Sequence, residues 1–266
     1  MSVSYKDKVV WITGASSGIG EALAYEFAQQ GAKLVLSARR ADVLETVRAK
    51  CANPELHLVL PLDMTYISSL PAQVNVVLQK FERIDVLINN AGVSQRSLIK
   101  DTPLEIDRRV MELDFFGPVA LTKAVLPHML AHGKGQLVAV SSIVGLVATP
   151  YRSAYAAAKH AIVGFYDALR AEVFDSGVSV SVIFPGFVRT NVSLSALTAD
   201  GSAHAKVDPQ QETAMPAEEF ARHAVAALAK GESRIIIAAG KEKLAVWLGR
   251  LSPGLLARVI RKVKVT

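Results

Sequence analysis

Short apolar runs alternate with longer helical patterns through most of this 266-residue chain, and this alternation constrains its fold more than any other feature. The first run, at residues 9–13, leads through a glycine-rich turn into a helical pattern over 19–30. The later runs are apolar and mostly non-alternating, as expected of parallel strands that are covered on both faces. We predict further strands at residues 34–37, 57–60, 86–88, 137–140, 178–184 and 234–237.

Helical patterns fill the intervals between these strands. They lie at residues 41–50, 66–81, 103–131, 153–175 and 216–230. Such βαβ alternation produces a doubly wound parallel sheet with helices on both faces. We therefore predict a single-domain Rossmann-like α/β fold over residues 1–240, an irregular segment near 191–215, and a basic amphipathic tail over 241–266.

Composition limits the classes of protein to consider. A hydrophobic content of 51% is enough to bury one large core. A single cysteine, Cys51, excludes an internal disulfide framework and fits a reducing compartment. We see no cleavable signal peptide and no apolar run as long as a membrane span, so the expected location is cytoplasmic.

The positive charge is concentrated in the tail. Of the 30 Lys and Arg residues, seven lie in residues 241–266 beside one of the 24 acidic residues, and this leaves 23 of each sign elsewhere. The body is therefore neutral, and we expect no nucleic-acid partner. In the tail, basic residues mix with leucines and Trp247, a pattern typical of helices that lie on a membrane surface. The alternative is that the tail packs on the body or on a second subunit.

The glycine-rich turn indicates a dinucleotide site. Glycine at 14 permits the tight turn, and glycines at 18 and 20 let backbone and helix approach a pyrophosphate, which the helix N-terminus attracts. The spacing differs from the commoner dinucleotide fingerprint, and a turn that serves packing alone is the alternative. The turn residues expected at the cofactor are Gly14, Ser16, Ser17, Gly18, Ile19 and Gly20.

The end of the second strand bears on the choice of cofactor. An acidic residue at this position grips the ribose 2′-hydroxyl of NAD, whereas arginine accommodates the 2′-phosphate of NADP. Here Arg39 and Arg40 follow the strand, and no acid occurs until Asp42. This favours NADP(H) over NAD(H), with Arg39 as the main contact, unless both arginines are merely solvated.

Further candidates for the cofactor site follow other strands. Asp63 is placed to bond the adenine amino group, and small residues after the fourth strand let backbone lie beside the ribose. The end of the sixth strand is expected near the nicotinamide carboxamide. These residues are Asp63, Asn90, Ala91, Gly92, Pro185, Gly186, Val188 and Thr190.

A second constellation suits proton transfer to a carbonyl oxygen. Tyr155 and Lys159 lie one helical turn apart, so both project from one helix face. A free tyrosine has a pKa near ~10, and a neighbouring ammonium stabilises its anion. Ser142 would donate a hydrogen bond to the substrate oxygen. Each feature alone is common on protein surfaces, and Tyr151 is a rival tyrosine without a basic residue four positions later.

With these motifs, in this order and spacing, the chain resembles the short-chain dehydrogenase/reductase family, of the subtype with about 250 residues and a Tyr-x-x-x-Lys site. Within it, the chain looks most like the dehydrogenase/reductase branch near hydroxysteroid and retinoid reductases. The resemblance implies that Tyr155 is the general acid/base, that Lys159 also holds the nicotinamide ribose, and that the protein is a homodimer or homotetramer.

The resemblance also implies where a substrate binds. The segment after Thr190 covers the substrate in this family, and here it offers Val192, Leu194 and Leu197 before a polar stretch. We expect an apolar alcohol, ketone or aldehyde without a charged anchor, and no metal ion. The residues expected at the substrate are Ser142, Tyr155, Leu146 and Phe187.

One residue departs from the family pattern. An asparagine that binds a water of the proton relay is implied in the helix before the fifth strand, and Asp114 takes that place. An ionised carboxylate accepts the same hydrogen bonds but donates none. If buried near Lys159 it could pair with the ammonium or become protonated, so we include Asp114 in the catalytic set.

Three functions fit the sequence. The leading one is an NADP(H)-dependent oxidoreductase that interconverts an alcohol and a carbonyl compound. A cofactor-binding regulatory or scaffold protein without turnover is the second, with Asp114 as its only support. The third is a nucleotide-sugar epimerase or dehydratase, but such relatives need a larger C-terminal substrate domain than this chain offers.

Overall fold

The computed structural model describes residues 3–261, apart from the side chains of 211 and 212. The strands are β1 (Val9–Thr13), β2 (Lys33–Ser37), β3 (Leu58–Val59), β4 (Val86–Asn89), β5 (Gly135–Val140), β6 (Val178–Pro185), β7 (Val188–Arg189), β8 (Met215–Pro216) and β9 (Arg234–Ile237). The α-helices are α1 (Gly18–Gln29), α2 (Ala41–Lys50), α3 (Leu70–Phe81), α4 (Leu104–Met111), α5 (Gly117–Ala131), α6 (Ser153–Glu172), α7 (Pro209–Glu212), α8 (Ala217–Ala229), α9 (Gly240–Leu251) and α10 (Pro253–Ile260).

A seven-stranded parallel sheet forms the centre of the molecule. Its strand order is β3-β2-β1-β4-β5-β6-β9, and all neighbouring pairs run parallel. The order reverses between β1 and β4. In such sheets ligands bind outside the carboxyl ends of the strands at the point of reversal. The predicted doubly wound parallel sheet is therefore confirmed.

The core consists of one layer on each face of the sheet. Successive residues of β1 point to opposite faces, so Val10 and Ile12 join one apolar cluster while Val9 and Trp11 join the other. The first cluster contains side chains of α1, α2 and α8, and the second contains those of α3, α5 and α6. Strands covered in this way account for the mostly apolar runs in the sequence.

The predicted elements differ from the structure mainly at their ends. The third strand is only Leu58–Val59, and the ring of the preceding His57 bonds to the backbone of Leu34 and Ala52. The helix predicted to begin at 66 begins at Leu70, after a 3₁₀ turn. The irregular segment near 191–215 contains α7 and Met215, which is the first residue of β8. Strand β8 pairs with β7.

The helical stretch predicted over 103–131 is continuous but not uniform. Between α4 and α5 lies one π-helical segment, Glu112–Phe116, which buries Asp114. A π turn adds a residue to the helical turn, and such turns are frequent at functional sites.

The predicted tail forms two helices, α9 and α10. Val246 of α9 is buried in the core, and Leu256 and Ile260 of α10 pack against the same cluster. Residues 262–266 of the predicted tail, which include Lys262 and Lys264, lie outside the described residues. Within 3–261, no helix is both long and apolar enough to cross a membrane.

Candidate active site

A cleft of about 1480 Å³ opens at the carboxyl ends of the central strands. Its walls come from the loops after β1, β2, β4, β5 and β6, together with α9 and α10. This is the location that the strand reversal between β1 and β4 predicts for a ligand. The cleft brings together the glycine-rich turn and the predicted catalytic residues, which are far apart in the sequence.

The glycine-rich turn is too tightly packed for larger residues. Gly14 has φ +66°, and a Cβ there would lie 2.8 Å from the Ala91 Cα. A Cβ on Gly20 would lie 2.2 Å from the Gly14 carbonyl oxygen. Gly20 does not line the cleft, so this glycine lets α1 approach the turn from behind. The other predicted turn residues do line it: Gly14, Ser16, Ser17, Gly18 and Ile19.

The end of β4 is tied to the same turn. The Asn90 amide donates to the carbonyl oxygens of Thr13 and Gly14 at 3.0 and 3.2 Å. The Thr13 hydroxyl in turn accepts the backbone N–H groups of Asn90 and Ala91. Asn90, Ala91 and Gly92 all line the cleft, and the Asn90 side chain acts there as a brace for the turn.

Two exposed arginines border the cleft beyond β2. Arg39 and Arg40 both line it, and neither takes part in an ion pair among residues 3–261. Asp63 also lines the cleft, and its Oδ1 accepts both the backbone N–H and the hydroxyl of Thr65. Two arginines and one carboxylate therefore line this edge of the cleft.

The Ser142 hydroxyl is held at the end of β5. Its oxygen accepts the Val144 N–H at 3.1 Å, which begins a 3₁₀ turn over Ile143–Gly145. The oxygen is thereby fixed while its own proton is free to be donated. The adjacent Ser141 hydroxyl donates to the Lys159 carbonyl and ties β5 to α6.

Lys159 is a buried charged residue that two neighbouring groups hold in place. It lies on α6, one turn after Tyr155, and its Nζ is 5.6 Å from the centre of the Tyr155 ring. The ammonium donates to the Val140 carbonyl oxygen at 3.2 Å and pairs with Asp114 Oδ2 at 3.1 Å. Asp114 Oδ1 accepts the Val93 N–H at 2.8 Å, so the π-helical segment holds this carboxylate under the lysine.

Burial and charge act against each other in this pair. Burial works to lower the pKa of Lys159, but the nearby Asp114 carboxylate outweighs burial, and the pKa is raised. Burial raises the pKa of the Asp114 carboxyl, against the Lys159 charge and the Val93 N–H. The lysine is thus held as a cation inside the protein.

The loop after β6 completes the cleft near these residues. Pro185, Gly186, Phe187, Val188 and Thr190 all line it, as the sequence predicts. Leu146, in contrast, does not line the cleft. It packs against the core, and its neighbour Val147 forms the wall instead.

Comparison with known proteins agrees with this geometry. The family model described as short chain dehydrogenase matches residues 8–200. Dehydrogenase/reductase SDR family member 7B of Bos taurus is 43% identical over 267 residues, covering 98% of this chain and 82% of that protein. Dehydrogenase/reductase SDR family member 7 of Homo sapiens is 48% identical over 200 residues, covering 73% of this chain and 59% of that protein.

The chain belongs to the short-chain dehydrogenase/reductase family. Its fold agrees with that of a solved short-chain dehydrogenase from Streptomyces avermitilis, with a TM-score of 0.80, 29% identity and 96% of each chain covered. The resemblance seen in the sequence is confirmed. Family membership implies an oxidoreductase that uses a nicotinamide cofactor and a small-molecule substrate.

The cleft of this short-chain dehydrogenase/reductase fits a dinucleotide. At the N-terminus of α1 the Ser17 side chain makes no capping hydrogen bond to residues 3–261, which leaves the first N–H groups for an anion. Gly18, with φ +58°, lies beside the Thr190 side chain, so the β6 loop reaches the turn. The backbone there can approach a phosphate closely because no Cβ intervenes.

A buried ionic network in the cleft wall escapes sequence analysis. Arg96 donates to both carboxylate oxygens of Asp208, at 3.3 and 2.5 Å, and Arg152 reaches the same carboxylate at 3.0 Å. Burial and the Arg96 charge lower the pKa of Arg152 to about 10. The cleft wall therefore contains charged side chains as well as apolar ones. Arg96 and Asp208 are 112 positions apart in the sequence, so no local pattern predicts the pair.

The C-terminal helices form a second part of the wall that the sequence does not reveal. Leu244 and Leu248 of α9 and Leu256 and Val259 of α10 line the cleft. The Glu242 carboxylate accepts the N–H groups of Phe187 and Ala239 at 3.0 and 2.7 Å, which fixes α9 against the loop after β6. In the sequence, the one signal of this contact is Glu242, the lone acidic residue of the basic tail.

Proposed function

We propose that the protein is an NADP(H)-dependent oxidoreductase that interconverts a secondary alcohol and a ketone, or an alcohol and an aldehyde, on an apolar small molecule. The observation that carries this proposal is the convergence of Ser142, Tyr155 and buried Lys159 in the cleft that the glycine-rich turn also lines. A turn shaped for phosphate and a proton-transfer group in one cleft suit hydride chemistry.

The protein's own residues supply the proton and its control. When bound, the nicotinamide supplies or accepts the hydride. Ser142 donates a hydrogen bond to the substrate oxygen, and Tyr155 gives its phenolic proton to that oxygen during reduction and takes it back during oxidation. The backbone N–H of Val144 holds the serine oxygen in place for this role.

Lys159 prepares the tyrosine for proton transfer. An ammonium has three N–H donors, and one of them binds the Val140 carbonyl oxygen at 3.2 Å, while Asp114 Oδ2 lies 3.1 Å away as an ion-pair partner. A remaining donor is assigned to the cofactor ribose. The buried positive charge next to the Tyr155 ring stabilises the phenolate that forms when the proton leaves.

The preference for NADP(H) is attributed to Arg39 and Arg40. Both guanidiniums stand at the carboxyl end of β2, where the adenosine ribose of a dinucleotide lies in this fold class. A 2′-phosphate there gains charge-assisted hydrogen bonds from arginine, and no carboxylate replaces them before Asp42.

The proposed substrate is largely apolar. The side chains around the inner cleft include Val147, Phe187, Leu194, Leu197 and Leu248. They bury a hydrocarbon body while Ser142 and Tyr155 orient its oxygen. The Arg96–Asp208 pair lies in the same wall and holds the segment before α7 in place.

A direct test is NADPH oxidation by the full chain against ketones, steroids, retinal and aromatic aldehydes, with NADH in parallel. We expect turnover of at least one apolar carbonyl compound, faster with NADPH at low cofactor concentration. Equal kcat/KM with NADPH and with NADH would contradict the assignment of Arg39 to the 2′-phosphate. If the wild-type protein binds neither NADPH nor NADH, the proposed oxidoreductase function is contradicted.

A second candidate is a cofactor-binding protein without turnover. The observation in its favour is the 3.1 Å ion pair between Lys159 and Asp114, because the carboxylate neutralises the charge that should assist Tyr155. Such a protein would bind NADPH tightly, and neither wild type nor Asp114→Asn would turn over any carbonyl compound. Turnover by the wild type excludes it.

We propose a homodimer or homotetramer, as family resemblance implies, and a cytoplasmic location. Light scattering after gel filtration measures the assembly directly. A monomer at micromolar concentration would contradict the proposal.

A further inference from the structure

The outer surface of α9 and α10 carries an exposed apolar stripe. On α9, Leu244, Trp247 and Leu251 recur at helical spacing on one face and are 67%, 61% and 79% exposed. On α10, Leu255 and Val259 are also exposed. We call these five residues the hairpin patch. Large apolar side chains clustered on a surface mark a binding site more often than single ones do.

The opposite surface of the same two helices is anchored. Val246 is buried in the core, and Leu256 and Ile260 pack against it. A Cβ on Gly249 would lie 3.1 Å from Leu256, so the two helices approach closely at this point. The hairpin patch is therefore held outward by a packed inner face.

The exposed charges of residues 240–261 all have one sign. The exposed basic side chains on and beside the two helices are Lys241, Lys243, Arg250, Arg258 and Arg261. The lone acid of residues 240–261, Glu242, is turned inward and bonded to the backbone of Phe187 and Ala239. An apolar stripe bordered by cations is complementary to an anionic lipid surface.

We propose that the hairpin patch docks the protein on anionic phospholipid membranes, with Trp247, Leu251 and Leu255 in the interfacial layer. Neither helix spans the membrane, since α9 has 12 residues and α10 has eight. Leu244 and Val259 belong both to the patch and to the wall of the cleft. The docked cleft therefore opens next to the lipid, and an apolar ligand can enter it directly from the bilayer.

A second copy of the chain fits the patch less well. In a two-fold interface the same surface meets itself, so the basic residues would face each other without acids between them. An anionic lipid surface instead gains from each of these charges. The two occupants predict opposite effects of salt, because screening weakens attraction to lipid and relieves repulsion between copies.

The test is flotation of the full-length protein with vesicles of phosphatidylcholine and phosphatidylserine in equal parts, compared with phosphatidylcholine alone. We expect flotation with the anionic vesicles that declines as salt is added. The triple variant Lys243→Gln, Arg250→Gln, Arg258→Gln should partition on the order of 100-fold more weakly, because each basic residue near an anionic leaflet contributes roughly fivefold. The variant Trp247→Gln, Leu251→Gln should lose roughly tenfold or more.

Matched controls lie at the opposite end of the sheet, where the strands begin. Phe174 is 81% exposed there, and Lys50, Lys134 and Lys230 are exposed lysines. Phe174→Gln and the three Lys→Gln changes should leave flotation unchanged. Equal flotation of the hairpin and control variants, or no flotation of the wild type, would overturn the proposal. The proposal would also be overturned if the hairpin variants changed only the mass of the oligomer and left flotation unchanged. None of these results depends on turnover or on the cofactor.

Discussion

Asp114 is the residue at which this chain differs most from the pattern that its family resemblance implies. The structure places its carboxylate 3.1 Å from the Lys159 ammonium, in full burial. The pairing anticipated from the sequence is thus observed. If the pair serves catalysis, it does so through the pKa of Lys159. A substitution that removes the charge of Asp114 and keeps the shape of its side chain tests this.

Asp114→Asn should move the alkaline limb of the pH profile for carbonyl reduction to lower pH. The reason is that Asp114 raises the pKa of Lys159, and burial lowers it once the carboxylate is gone. The ammonium form that reduction requires is then lost earlier as pH rises. The measurement is kcat against pH, with Glu112→Gln as a control at another acidic residue of the cleft wall. An unchanged profile for Asp114→Asn would show that the pair is structural.

Tyr155→Phe should lower kcat by about 10²–10⁴-fold, because it removes the proposed general acid/base and little else. Tyr151→Phe is the matched control. Tyr151 is 41% exposed and is not among the residues of the cleft, so activity should be retained. The comparison uses steady-state kinetics on the same carbonyl substrate. Similar losses in both variants would discredit Tyr155 as the proton donor.

Arg39→Ala should raise the KM for NADPH much more than that for NADH. The guanidinium is exposed at the end of β2, so its removal costs the contact with the 2′-phosphate and little packing. Arg48→Ala on α2, whose guanidinium pairs with Glu45, controls for the loss of one positive charge nearby. If both cofactors are affected equally, the preference has another origin.

At the level of elements, the sequence predicts the arrangement well where periodicity is strong. Helix α2 has the bounds that its pattern indicates, and β9 matches residue for residue. Contacts between distant segments are less accessible. The π-helical turn at Glu112–Phe116 has no local signature, and it is this turn that places Asp114 under Lys159.

The candidate active site shows the same contrast between what local patterns predict and what depends on contacts between distant segments. The order of strands and turns predicts that Gly14, Gly18, Ser142, Tyr155 and Lys159 meet in one cleft, because parallel strands present their carboxyl ends on one edge. Leu146, which was also expected at the substrate, does not line the cleft, whereas Val147 after the 3₁₀ turn does. The wall formed by Arg96, Asp208 and α9 depends on tertiary packing and could not be read from spacing.

The segment before α7 should depend on its buried carboxylate. Asp208→Asn removes the charge shared by Arg96 and Arg152, and breaking a buried pair of this kind costs about 3–5 kcal/mol of unfolding free energy. Asp101→Asn is the control, because its ion pair with Lys100 is exposed and 3.9 Å long. Chemical denaturation of both variants measures the difference. Equal stability would mean that solvent reaches the pair freely.

At the scale of the whole molecule, function depends on one edge of one sheet. The glycine-rich turn, the β4 and β5 ends and helix α6 meet there, and the C-terminal helices form the remaining wall. Separate apolar layers cover the two faces of the sheet. The residues at this edge can therefore differ in their chemistry without a change in the core. The central claim is that this edge holds a nicotinamide dinucleotide with its reactive ring beside Tyr155.

A crystal structure of the full chain with NADP⁺ tests that claim most directly. The account predicts the pyrophosphate at the N-terminus of α1, the 2′-phosphate at Arg39, and the nicotinamide ribose bonded to Lys159, with the ring next to the Tyr155 hydroxyl. A nucleotide bound elsewhere, or one whose nicotinamide points away from Tyr155 and Ser142, would contradict it.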